Sequence, residues 1–83
     1  MTAGLNVTAA RCEALFVSSL QRSDEPTMTE VRDAIRRTIR ELGSRGCACC
    51  VAQEFGDHPE TAVPRMRWAR AAVAEAFLPV VSV

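Results

Sequence analysis

The chain has no lysine and no tyrosine, and it has one tryptophan and one histidine among 83 residues. Each scarcity excludes something. With only 5% aromatic residues, three of them Phe, the core must be aliphatic and alanine-rich, which suits closely packed helices. The formal net charge is zero and the pI is about 6.6. That weakens any claim of strong nucleic-acid binding, because backbone affinity comes from neutralising phosphates. No apolar run reaches 18 residues, so no membrane span is expected. The N-terminus lacks the basic start and apolar centre of a secretory signal. A cytoplasmic location is expected, and with it mostly reduced cysteines.

What is present is 48% hydrophobic residues, enough for a folded core and against disorder. A chain this short buries roughly 60–65% of its unfolded surface, so its stability is thin and a deep catalytic cleft is hard to fit. All ten basic residues are Arg. GC-rich coding accounts for that together with the abundant Ala and Val; a need for planar, bidentate donors is the alternative.

The pattern reads as one helical domain over 1–83, with no repeat or linker. Thr8 as N-cap, with Cys12, Leu15, Phe16 and Leu20 at helical spacing, predicts a helix over about 8–21. Ser23-Asp24-Glu25-Pro26 then breaks the chain. Thr27 and Glu30 have capping-box spacing, and Met28, Val31, Ile35, Ile39 and Leu42 form a stripe, predicting a helix over 28–42 ended by Gly43. Asp33 and Arg37 make a favourable i,i+4 pair. A short helix over 47–55 follows, with Cys47, Ala48, Val51, Ala52 and Phe55 on one face and Gly56 as its left-handed stop. Pro59 starts a last helix over 59–78, with Ala62, Met66, Ala69, Val73, Ala76 and Phe77 inward. Pro64 should kink or restart it, and an apolar tail, 79–83, remains. The fold class is thus all-α, four helices, the last three forming a tri-helical, helix-turn-helix-like unit.

That unit carries the leading functional expectation: a small bacterial regulatory protein that binds DNA. Ala52 and Gly56 fit the small residue and turn glycine of such motifs. Thr61, Arg65, Arg67 and Arg70 on the last helix, with Arg36 and Arg40 on an Arg-rich face, are the candidate nucleic-acid contacts. Asp57, Glu60 and Pro64 fit that role poorly. The alternative is a protein-interaction or homodimerisation module. It rests on Trp68, with Ala72 and Glu75 on its side of the helix, opposite the inward stripe; Trp is a favoured interface anchor. The plainer reading of Trp68 is that the N-terminal helix, through Leu15, Phe16 and Leu20, covers it.

Cys47 and Cys50 form a CxxC pair at a helix start, where the dipole lowers thiol pKa. Small core residues, a metal site and redox chemistry stay open for Cys47, Cys49 and Cys50, though no zinc-knuckle spacing or βαβ frame supports the last two. His58 fits a helix cap better than a catalyst. No nucleophile, base and pocket are assembled, so no enzyme, metal or cofactor is expected.

The block RGCACCVAQEFGDHPETAVPRMRWAR, with LFVSSLQRSDEPT upstream, resembles small streptomycete-like actinobacterial proteins over about Leu15 to Phe77. VAQEFGDHPE and RMRWAR are its specific parts. The resemblance implies a cytoplasmic bacterial origin and brings no catalytic residue. It also implies fewer cysteines in the CACC run and a helix former in place of Pro64, so neither feature would carry a shared role.

Overall fold

A computed structural model describes residues 6–78, and all regular structure among them is helical. Helix α1 spans Val7–Val17, a 3-10 turn spans Arg22–Asp24, α2 spans Met28–Asp57 and α3 spans Pro59–Ala76. Each long helix touches the other two. The count is three rather than four, because the two helices expected over 28–42 and 47–55 join into α2.

The joint is Gly43. Its φ of 72° and ψ of 164° are non-helical, in a region open essentially to glycine alone. The sequence signal for a stop was real, but the chain resumes helix at once, leaving a kink inside one element. Leu42, expected to face inward just before that joint, is exposed.

Local chemistry explains the other boundaries. Asn6, not Thr8, caps α1: its Oδ1 accepts from the Ala9 N–H at 3.0 Å. The helix stops at Val17, four residues short of expectation, because Ser18 ends it. The Ser18 hydroxyl donates to the Leu15 carbonyl at 2.7 Å, which serves the backbone as an alternative to further helix. The capping box is present at α2, with Thr27 N–H to Glu30 Oε1 at 2.8 Å and Glu30 N–H to Thr27 Oγ1 at 3.1 Å.

The expected turn Gly56-Asp57-His58 contracts to a single residue. Helix α2 runs through Gly56 and Asp57, and only His58 (φ −139°, ψ 62°) lies between it and α3. The His58 N–H donates to the Glu54 carbonyl at 2.7 Å, while its carbonyl accepts from Ala62 at 2.9 Å. One residue thus closes one helix and opens the next. The usual helix-turn-helix turn is three to four residues. Pro64 does not divide α3, which ends at Ala76 rather than 78. The expected tail lies outside the described residues.

The core is as aliphatic as the composition requires. Leu15, Val31 and Cys47 are its largest fully buried side chains, with Ala14 and Ala69 at 0% exposure. The Phe16 and Phe55 rings stack over it, centroids 5.9 Å apart. Ala62, Ala69, Ala72, Val73 and Ala76 bury the inner face of α3, so helix axes can approach closely. Ala48 and Ala52, expected inside, are exposed.

Candidate functional site

Helix α3 carries most of the residues singled out for function, and the structure sorts them by what their side chains do. Arg65 is turned inward. Its Nε donates to the Phe16 carbonyl at 2.7 Å. Its Nη2 donates to the Ser18 and Leu20 carbonyls, each at 2.9 Å, and over a long 3.4 Å to Leu15. The end of α1 leaves carbonyls without helical partners, and one guanidinium collects them. It also lies 5.7 Å from the Phe16 ring centroid and 5.2 Å from that of Trp68. Desolvation pulls its pKa down from the ordinary arginine value. A side chain so engaged does not reach a DNA groove, so the expected role of Arg65 as a base-reading residue is replaced by a structural one.

Arg32 repeats the device at the other end of α3. Its Nη1 donates to the Ala76 carbonyl at 2.9 Å and its Nη2 to Thr29 Oγ1 at 3.3 Å. The Arg11 guanidinium lies 3.8 Å over the Phe77 ring. Part of the Arg set is therefore internal scaffolding.

The remaining candidates are outward. Arg36 pairs with Asp33 at 3.2 Å, both well exposed; this i,i+3 pair takes the place of the Asp33–Arg37 pair expected. Arg40 is exposed. Thr61 is exposed but donates its hydroxyl to the His58 carbonyl at 3.2 Å, strengthening the start of α3. Arg67 and Arg70 are exposed and, at i,i+3, share one face of α3.

Trp68 is not a free anchor. It is half-buried and packs against the core. Its neighbours around a shallow cavity are Arg22, Glu25, Pro26 and Met28, with Ala71, Ala72 and Glu75 of its own helix. Residues of the connection between α1 and α2 share that cavity with it, and the core it packs against includes Leu15 and Phe16 of α1. Ala72 is buried at 9% exposure, and Glu75 alone of the expected partner trio is open to solvent.

A different surface emerges that the sequence did not single out. Phe55 of α2 and Val63 and Met66 of α3 line a cavity of about 270 Å³ with Arg67 and Arg70. Val63 is 44% exposed. Along α3, Val63, Arg67, Arg70 and Ala74 fall on one solvent-facing line. The available sequence signal was Val63, an apolar residue outside the inward stripe.

The cysteines divide in the same way. Cys12 and Cys47 are buried, Cys50 is half-buried and Cys49 is exposed. Burial, aided by Cys50 and Glu13, pushes the Cys47 thiol up from 9.0, against the lowering expected at a helix start. Burial likewise raises Cys12, offset by Arg70. Among the described residues, no group of three or more His, Cys, Asp or Glu side chains could hold a metal. No described helix is long and apolar enough to cross a membrane.

A third cavity, of about 450 Å³, lies where the ends of α1 and α2 meet the start of α3. Phe16, Gln53, Glu54, Thr61, Ala62 and Arg65 are among the residues lining it. Comparisons with protein-family models, curated proteins and solved structures each found no match to this chain.

Proposed function

We propose that this chain is a small, non-enzymatic protein-interaction module of a bacterial, actinobacterial-type cytoplasm, with α3 presenting its outer face to an acidic amphipathic helix. The observation that supports this reading is the cavity of Phe55, Val63 and Met66 bordered by Arg67 and Arg70. An apolar slot takes apolar anchors at helical spacing. Two guanidinium groups at its edge select carboxylates and speed encounter. The single-residue turn at His58 and the internal use of Arg65 favour this reading over groove recognition.

A regulatory DNA-binding role is the second reading. It draws on the exposure of Thr61, Arg67 and Arg70 behind a helix start, and of Arg36 and Arg40 on α2. Against it stand the neutral net charge and Glu60 in the first turn of α3.

One titration separates the two. Amide chemical shifts are followed while an acidic amphipathic peptide, and separately a DNA duplex at low salt, is added. The expected result is saturable peptide binding that perturbs Phe55, Val63 and Met66 and is lost in the Arg67→Glu/Arg70→Glu double variant. Steeply salt-dependent duplex binding, lost with Arg67→Ala and Arg70→Ala, would establish the DNA reading instead. No response to either probe would remove both.

A further inference from the structure

The cavity of about 450 Å³ at the junction of the three helices holds two opposite charges that do not pair. Arg65 and Glu54 both line it, yet the Asp33–Arg36 contact is the ion pair found among the described residues. Arg65 commits Nε and Nη2 to backbone carbonyls. Its Nη1 makes no hydrogen bond among the described residues. No buried side-chain nitrogen or oxygen among them lacks a partner, so Nη1 is not fully buried, and Arg65 is among the residues lining this cavity. The guanidinium is thus held in place by bonds on one side with donors free on the other. Such a donor gives up little conformational freedom on binding an anion.

Glu54 is exposed, and its carboxylate accepts no hydrogen bond among the described residues. Phe16 and Ala62 supply apolar wall, and Gln53 and Thr61 supply amide and hydroxyl groups. The volume falls within the usual 300–1,000 Å³ of small-molecule sites. A simple anion such as phosphate would meet Glu54 unfavourably, and a simple cation would meet Arg65. A molecule carrying both charges satisfies both walls.

We propose that this cavity binds an amino-acid-sized zwitterion with an apolar side chain. Its carboxylate accepts from Arg65 Nη1, its ammonium faces Glu54, and its side chain lies against Phe16 and Ala62. The site is separate from the Phe55–Val63–Met66 surface and does not rest on the partner reading.

The test is calorimetric titration with L-leucine, N-acetyl-leucine and leucinamide, paralleled by Trp68 emission. The Arg65 guanidinium lies 5.2 Å from the Trp68 ring centroid, so loading of Arg65 is expected to shift that emission. L-leucine is expected to saturate at millimolar concentration or below, with the two blocked analogues at least about tenfold weaker. Glu54→Gln, an exposed change whose fold is checked by circular dichroism, is expected to erase the advantage of leucine over N-acetyl-leucine. The proposal is overturned by any of three results: no saturation with leucine up to about 50 mM, equal binding of leucine and N-acetyl-leucine, or an unchanged preference in Glu54→Gln.

Discussion

Arg65 and Phe16 are joined twice: the guanidinium Nε donates to the Phe16 carbonyl at 2.7 Å, and the same group lies 5.7 Å from the Phe16 ring centroid. The contact spans 49 residues of chain and fastens the end of α1 to α3. It occupies a position where sequence logic expects a DNA-reading arginine.

Arg65→Ala is expected to lower unfolding free energy by about 2–3 kcal/mol, because it strands several carbonyls at the end of α1 that a charged donor now satisfies. Arg65→Lys should recover only part of the loss, since an ammonium lacks the planar fork. Urea unfolding followed by circular dichroism measures both. A variant as stable as the parent would show that water replaces the guanidinium at no cost.

Two glycines of α2 should respond oppositely to alanine. Gly43→Ala must adopt φ 72°, and a loss of about 1–3 kcal/mol is expected. Gly56 is helical, with nothing within 4 Å of an added Cβ. Gly56→Ala should therefore add about 0.5–1 kcal/mol. Thermal unfolding of the pair decides it: destabilisation by Gly56→Ala would restore the left-handed turn expected there.

Leu15→Ala is expected to cost about 2–5 kcal/mol. Leu15 is 0% exposed at the centre of the core, and a small domain has little else to close the gap. Equilibrium denaturation provides the measurement; a loss below about 1 kcal/mol would mean that the core collapses into the space.

Thiol chemistry should be ordered by burial. Cys49 is exposed, whereas Cys12 and Cys47 are buried with thiols pushed up from 9.0. Cys49 is expected to react first with a disulfide reagent, and the buried pair only on opening of the fold. The linkage has a definite sign. Between the unfolded value of 9.0 and the higher folded values, the unfolded chain binds fewer protons, so stability falls as pH rises through that window. It is unaffected by these two thiols well below pH 9. Denaturation series at pH 7 and above 9, repeated in Cys12→Ser and Cys47→Ser, test this. A pH slope that persists without both thiols would assign it elsewhere.

Local signals in the sequence translated directly into structure. The Thr27–Glu30 box forms because its partners lie within one turn. Val31 and Ile35 are buried where the stripe placed them, and the spacing alone determines that face. Gly43 marks a break because its backbone freedom is intrinsic. The aliphatic composition dictates an alanine-lined core. Pattern could not reveal what lies 45–50 residues away. The acceptors of Arg65 are on the other side of the chain, so its inward turn is decided only when α1 and α3 pack. The surroundings of Trp68 include Arg22, Glu25, Pro26 and Met28, which the periodicity of α3 does not reveal. Whether Gly43 and Gly56 ended helices or lay within them was decided by packing as well. Helix propensity costs about 1 kcal/mol per glycine, less than the burial of Cys47 and Val51 and the partial burial of Phe55 return. Sequence alone determined the helical class and part of the inward faces, such as Val31 and Ile35, but not those of Leu42, Ala48 and Ala52. Tertiary packing decided which arginines hold the fold together and which remain exposed, because a guanidinium's role depends on the carbonyls and charges brought beside it.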